Sequence, residues 1–480
     1  MDYCGFKVLV MGLGLHGGGL QSALFLLRKG AELTVTDLRD EKILRPSIEM
    51  LDEACRELGR APVRYVLGKH EIGDFQKADI VIKNPGVKPD SPFLKAAKRI
   101  ETDISLFLME SKARLFAVTG SKGKSCTAAA LHFILNRAKS SGRAFLGGNI
   151  TISPLSFLDG LNENDDVVLE LSSWQLGDLK GRLAPDGSPL LKPKAAVLTA
   201  IMPDHLDRYA SMEEYVDDKR NIYRGQDGSC VTIAGDCPWG KSFRAETRGR
   251  PLVYSGSPLK DGLEGGWIDG EGKGMARLTG GQCEQIVPDR LLVPGEHQKL
   301  NLLAAALAVY GLAVYSLGTD AREIYCALSD FTGIEHRLEL FHEKGGVRFY
   351  NDSAATIPQA AAACIEALSA CAPLVLVTGG TDKNLDFSPL VKAACKAKAV
   401  VLLAGSGSEK LIPLLKTAGI SYSGPFNELE KAVVHVFDTV EKGDIAALSP
   451  GCASFEMFLN EFDRGKQWKD AVLRLCPMFY

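Results

Sequence analysis

Two short apolar strands of this chain run straight into glycine-rich turns, and each turn opens a helix. Lys7–Met11 (KVLVM) leads into Gly12-Leu13-Gly14-Leu15-His16-Gly17, and Leu115–Thr119 (LFAVT) leads into Gly120-Ser121-Lys122-Gly123-Lys124-Ser125. A strand that ends in such a turn starts a βαβ unit, which demands a parallel sheet with helices on both faces. The rhythm persists. Strands are expected at Glu32–Thr36, Ala78–Lys83, Asp166–Leu171, Ala195–Thr199 and Ser229–Ala234, with a helix at Cys126–Arg137. Gly-rich Ser255–Thr279 reads as loops and short antiparallel strands, and Gly295–Leu317 as a long helix. After Thr332-Gly333 a third doubly wound unit is expected, with strands at Val347–Asn351, Leu374–Thr378, Ala399–Leu403 and Ile445–Leu448 and a helix at Pro358–Ala370. The predicted fold class is α/β in several units.

Length and charge exclude other classes. At 480 residues two to four domains are expected. A net charge of −3 gives no general electrostatic reason for a nucleic-acid or anionic-membrane partner. No apolar run approaches the roughly 18–20 residues of a membrane span. MDYCGFKVLVMGLGLHGGG lacks the pattern of a signal peptide, so a cytoplasmic protein is expected. The 12 cysteines show neither a CxxC pair nor zinc spacing and read as buried or free thiols.

The first turn, with Asp37 about twenty residues on, has the dinucleotide fingerprint in its proper context. It predicts a bound pyrophosphate; NAD, FAD and other nucleoside diphosphates all carry one. The second turn ends in Gly-Lys-Ser and is slightly shorter than the usual Walker spacing. Its backbone N–H groups would cradle phosphates, Lys124 would reach the β/γ oxygens, and Ser125 would ligate magnesium. Glu170 closes a strand, where a carboxylate points into the ligand crevice, although alone it reads equally as a solvated strand end. His205, in Pro203-Asp204-His205-Leu206-Asp207-Arg208, follows a third strand of the same sheet. Lys219, in YVDDKRNIY, taken alone is a solvated charge.

These blocks, with NPGV, GGNI, ELSSWQL, PGEHQKLNLLAAA, GIEHRLE, NDSAAT, GGTDKN and SPGCASFEMF in that order, resemble the Mur ligase family over nearly the whole chain. The resemblance is to members that add glutamate to UDP-N-acetylmuramoyl-L-alanine. It implies three domains. Residues 1–102 form a Rossmann-like domain for the UDP-substrate, 103–333 a central P-loop ATPase-like domain on a mostly parallel sheet, and 334–480 a Rossmann-like domain for the amino acid. The implied reaction phosphorylates the alanyl carboxylate with ATP. The glutamate amine (the D-enantiomer expected) then attacks the acyl phosphate, giving an amide, ADP and phosphate in peptidoglycan precursor synthesis.

The resemblance also implies roles. Lys124 contacts the transferring phosphate; Ser125 and Glu170 hold one Mg2+, His205 helps hold a second, and Lys219 matches the lysine the family carbamylates at the metal site. ATP would lie on Gly120, Ser121, Lys122, Gly123, Lys124, Ser125 and Cys126, with Asn301, Arg337 and Asp352. Leu15, His16, Asp37, Leu38, Arg39 and Asn84 would line the uridine site, and Asn149 and Gln175 would face the muramoyl part. Thr356, Lys383, Ser454 and Phe462 would hold glutamate. The implied partners are these small molecules, with no nucleic acid or membrane, and the chain is expected to be a monomer. Lys122, Cys126, Ala354 and the order Asn460-Glu461-Phe462 depart from the family pattern. The remaining readings are a related ligase with another amino acid, a NAD-dependent oxidoreductase, a folylpolyglutamate synthetase and a non-catalytic scaffold.

Overall fold

The computed structural model describes residues 2–15, 17–138, 142–150, 152–278, 280–312 and 319–479, the side chains of 478 and 479 excepted. His16 and residues 313–317 of the expected long helix lie outside the described residues. The chain divides into two compact units, Met1–Asp289 with Leu300–Leu328, and Arg290–Lys299 with Ser329–Tyr480.

The first unit holds two sheets. In one, β1 (Lys7–Met11), β2 (Glu32–Asp37), β3 (Arg64–Leu67), β4 (Ile80–Lys83) and β5 (Ile100–Glu101) lie in the order β3-β2-β1-β4-β5, all parallel. The order reverses between β1 and β4, which opens a crevice at their C-terminal ends. Val8, Leu9 and Val10 are buried in succession, as expected of a parallel strand covered on both faces.

The second sheet has nine strands: β6 (Arg114–Thr119), β7 (Ala144–Gly148), β8 (Asp166–Glu170), β9 (Ala195–Leu198), β10 (Val231–Gly235), β11 (Arg250–Ser255), β12 (Gly265–Ile268), β13 (Gly274–Arg277) and β14 (Glu284–Val287). Their order is β14-β13-β12-β11-β10-β9-β6-β8-β7. It is parallel from β7 to β12 and antiparallel at β12–β13 and β13–β14. One apolar cluster runs through both sheets, from Val10, Phe25 and Val35 to Val167, Leu169 and Leu198. That continuity explains why they cluster as one unit.

In the second unit, β15 (Glu339–Lys344), β16 (Val347–Asn351), β17 (Leu374–Thr378), β18 (Ala399–Leu403), β19 (Tyr422–Phe426) and β20 (Ile445–Leu448) take the order β15-β16-β20-β17-β18-β19. Only the β15–β16 pair is antiparallel. Side chains alternate between two cores. Val401 and Leu403 pack with Val433 and Trp468, whereas Val400 and Leu402 pack with Leu390 and Leu411. The expected strand bounds hold closely for β1, β16, β17, β18 and β20. The long helix runs Glu296–Leu312 among the described residues.

Candidate active site

Three adjacent parallel strands bring the phosphate loop and its neighbours together. Val118 of β6 is paired with Glu170 of β8, and Thr119 of β6 with Leu198 of β9. The loop Gly120–Ser125, the Glu170 carboxylate and the segment leading to His205 therefore leave the same edge of one sheet. Gly123 has φ 90°, and a Cβ there would stand 2.3 Å from Asn301 Oδ1, so only glycine lets Asn301 rest on the loop. The helix Lys124–Arg137 starts at the end of the loop and presents its N-terminal N–H groups there. Ser125 is half-buried in its first turn and Cys126 is buried behind it. Lys122 is exposed, with its carbonyl bonded by the Thr199 hydroxyl.

Lys219 is not solvated. It is 1% exposed, and its ammonium donates to the Gly120 carbonyl at 2.8 Å. Lys124 donates to the same carbonyl and to that of Ser121, both at 3.1 Å. Burial first, then the positive charge of Lys124, lowers the Lys219 pKa to about 7. Tyr215 organises this corner. Its hydroxyl pairs with Ser121 Oγ at 2.9 Å, Lys219 Nζ lies 4.5 Å from its ring centre, and the His205 ring lies 6.2 Å away. Tyr215 escaped the sequence reading, although its i,i+4 spacing from Lys219 on one helix was a usable signal.

Glu170 is 1% exposed. Its Oε1 accepts from Asn149 Nδ2 at 3.1 Å, while its buried Oε2 has no hydrogen-bond partner. A buried carboxylate oxygen left without a donor suits a cation. No group of three or more His, Cys, Asp or Glu able to hold a metal occurs among the described residues. Magnesium in general takes one or two carboxylates and completes its shell with phosphates and water. Gln175 is buried, and its side-chain oxygen accepts from Ser172 N and Ser172 Oγ in a helix cap. Its carbonyl end therefore serves the fold.

At the first glycine turn, a Cβ on Gly19 would fall 2.0 Å from the Gly12 carbonyl oxygen, so glycine there permits the close strand–helix contact. The Asp37 carboxylate accepts from Gly14 N at 3.2 Å and Arg39 N at 2.9 Å. Asn84 lies across the crevice, its Cβ 3.2 Å from where a Gly12 Cβ would stand. Leu15 is half-buried; Leu38 and Arg39 are exposed. Asp103, missed in the sequence, sets its carboxyl against Gly18 at the start of helix Gly18–Arg28, and burial raises its pKa.

In the second unit, loops after β16, β20 and β17 converge. Gly451 N bonds the Ala355 carbonyl, Thr381 pairs with Ala453, and Glu456 N bonds Thr381 Oγ1. This draws the loops carrying half-buried Thr356, exposed Lys383 and buried Ser454 together. Ser454 Oγ is buried with no partner. Arg464, fully buried, ties two of these loops by donating to Ser353 O, Cys452 O and Ala453 O. Nothing in the sequence set Arg464 apart from a surface charge. Asp352 is buried, accepts from Leu338 N and Ser449 Oγ, and has a pKa raised to about 6 by burial. Arg337 stands exposed between His336 and Leu338, which have φ 64° and 47°. Phe462 is half-exposed, its ring 5.5 Å from that of His336.

Family models match three stretches: Mur ligase MurD-like, N-terminal domain at residues 6–105, Mur ligase middle domain at 118–309, and Mur ligase, glutamate ligase domain at 336–452. The chain belongs to the Mur ligase family, with its three α/β domains. Among its relatives, the UDP-N-acetylmuramoylalanine–D-glutamate ligase of Treponema pallidum (strain Nichols) is 40% identical, covering 98% of this chain and 97% of its own. The enzymes of the same name from Borreliella afzelii (strain PKo) and Roseiflexus sp. (strain RS-1) are 39% and 37% identical, covering 97% and 98% of this chain and 97% and 99% of their own. Among solved structures, the UDP-N-acetylmuramate-alanine ligase MurC of Thermotoga maritima aligns with a TM-score of 0.54 at 20% identity, covering 98% of this chain and 99% of its own. MurF of the same organism, in complex with ADP, gives 0.52 at 18% identity, covering 98% and 96%. At such identities these two speak for the fold alone.

Proposed function

We propose that this chain is an ATP-dependent, ADP-forming ligase that joins D-glutamate to UDP-N-acetylmuramoyl-L-alanine in peptidoglycan precursor synthesis. The observation that carries the reading is the phosphate loop Gly120–Ser125 beside a buried Glu170 with an unpartnered oxygen. Near full-length relatives of that name supply the substrate.

The chemistry follows from charge. A carboxylate is a poor electrophile, and attaching a phosphoryl group to one of its oxygens creates a leaving group. Both reactants are anions, so cations and oriented N–H groups must do most of the stabilising. Lys124 and the loop amides hold the transferring phosphoryl, with Asn301 resting on the loop. Ser125 and Glu170 would hold one magnesium ion, and His205 and Lys219 would serve a second. Magnesium, when bound, supplies charge neutralisation at the phosphate oxygens. Lys219, with a pKa near 7, keeps a substantial neutral fraction at physiological pH. A neutral amine can attack CO2, losing a proton to give a carbamate, and an anion there suits the cation site better than an ammonium.

Residues 1–102 bind the UDP moiety around Leu15, His16, Asp37, Leu38, Arg39 and Asn84; residues 103–333 transfer the phosphoryl group, with Asn149 and Gln175 toward the muramoyl part. Residues 334–480 bring the amino acid on Thr356, Lys383, Ser454 and Phe462, and Arg337 and Asp352 contact the nucleotide. The described residues include no helix long and apolar enough to cross a membrane. The reading puts the enzyme in the cytoplasm beside its small-molecule substrates, and takes it as a monomer.

The test is phosphate release with UDP-N-acetylmuramoyl-L-alanine, ATP, magnesium and either glutamate enantiomer. Release that needs the UDP-substrate and D-glutamate is expected; hydrolysis indifferent to both overturns the reading. Intact-mass and 13C NMR measurements with labelled bicarbonate test the carbamate.

A further inference from the structure

Residues 85–87, just past Asn84, turn three successive carbonyl oxygens toward one guanidinium. Arg208 Nη1 donates to Gly86 O at 3.1 Å, and Nη2 donates to Pro85 O at 3.4 Å and Val87 O at 3.2 Å. The loop is pre-shaped for this. Gly86 N bonds Asn84 Oδ1 and Val87 N bonds Asn84 O, which frees the outer carbonyls to converge. The guanidinium, bonded to the carbonyls along its edge, also stacks on an indole, its Cζ 4.1 Å from the Trp174 ring centre. That ring stands 5.0 Å from the His205 ring. His205 itself has φ 53°, and its carbonyl accepts from Arg208 N and Tyr209 N, so Arg208 and His205 belong to one tight turn.

We infer that Arg208 is a positioning residue that locks the Asn84–Val87 loop to the His205 turn. It thereby holds the UDP-substrate crevice in register with the phosphoryl-transfer site. The inference rests on the function proposed above. It follows from the geometry of a planar fork: one guanidinium serves three carbonyls and an aromatic face together, which a lysine ammonium cannot do. Lys83, at the base of the same loop, is pinned separately by Asp178. Removal of Arg208 therefore leaves the loop attached but unaligned. Small misplacements of a bound reactant are costly to rate even far from the reacting atoms.

The test uses the full-length protein with Arg208→Ala, Arg208→Lys, Trp174→Phe and Trp174→Leu. Steady-state phosphate release is measured while each substrate is varied, with calorimetry of UDP-N-acetylmuramoyl-L-alanine and thermal melting alongside. Arg208→Ala is expected to raise the KM and Kd for the UDP-substrate about tenfold or more, the scale of one charge-assisted hydrogen bond. KM for ATP should stay within about twofold, the mark of a lost substrate-side alignment rather than lost folding. Arg208→Lys should not restore the UDP-substrate KM, and Trp174→Phe should lose less than Trp174→Leu. UDP-substrate KM and Kd within about twofold of wild type in a folded Arg208→Ala overturns the inference. So does a uniform rise of every KM with a lowered Tm in both Arg208 variants. Absence of UDP-substrate-dependent turnover in the wild type instead overturns the ligase reading, and the calorimetry then still decides the role of Arg208.

Discussion

The Lys219 ammonium and the Gly120 carbonyl oxygen lie 2.8 Å apart, which joins a helix interior to the first residue of the phosphate loop. This lysine has a pKa of about 7, lowered by burial and by Lys124. The unfolded chain therefore binds more protons than the folded one between about pH 7 and the ordinary lysine value. Stability should rise with pH across that window. Lys219→Met should be more stable than wild type at pH 6.5, with the gap narrowing toward pH 10 in urea unfolding. Its turnover should fall by about 10² or more, as for other losses of a charged group at developing charge.

Lys83 and Asp178 form an ion pair at 2.6 Å with both partners largely buried. Removing one partner strands the other charge. Lys83→Met should cost about 3–5 kcal/mol in equilibrium unfolding. The double variant Lys83→Met/Asp178→Leu should recover much of that loss, because the residual penalty of a buried lone charge disappears.

Asp352 is held with a pKa of about 6 by its burial. A raised carboxyl pKa means that stability is lost as pH rises from the usual carboxylate value to about 6, and stays lost above it. Asp352→Asn keeps hydrogen-bonding capacity toward Leu338 N and Ser449. It should be more stable than wild type at pH 8 by about 1–3 kcal/mol, a gain that vanishes near pH 4. Ligase activity should fall, which would mark the ionised carboxylate as retained for the nucleotide.

Ser454 Oγ is buried without a partner. An unsatisfied buried hydroxyl costs about 1–3 kcal/mol, so Ser454→Ala should leave stability unchanged or slightly improved. The KM for D-glutamate should rise several-fold while that for ATP is unchanged. Equal KM values in wild type and variant would remove Ser454 from the amino-acid site.

Much of this was legible because parallel strands buried on both faces are short and continuously apolar. Val347–Asn351, Leu374–Thr378, Ala399–Leu403 and Ile445–Leu448 announce themselves that way. Edge strands do not. Glu339–Lys344 (ELFHEK) carries charges, and Tyr422–Phe426 (YSGPF) contains Gly-Pro, so neither showed a strand pattern. The phosphate loop was readable since its chemistry is local. Burial of Lys219 was not, because the group that covers it, Gly120, is 99 residues away in sequence. Arg464 was invisible because its partners, the carbonyls of Ser353, Cys452 and Ala453 and the Ser353 hydroxyl, carry no charge that pairs with it in the sequence. Arg208 stood in the Pro203–Arg208 motif without a role of its own, since its acceptors are main-chain carbonyls more than 120 residues away.

The antiparallel strands β12, β13 and β14 sit at the opposite end of their sheet from β6, β8 and β9, separated by β10 and β11. Their connecting turn is self-sufficient, with Asp269 Oδ1 accepting from both Glu271 N and Lys273 N. That margin can take added chain without disturbing any residue assigned to phosphate, metal or uridine. A fluorophore or affinity handle spliced at Gly270–Gly272 would report on the molecule while leaving its chemistry alone.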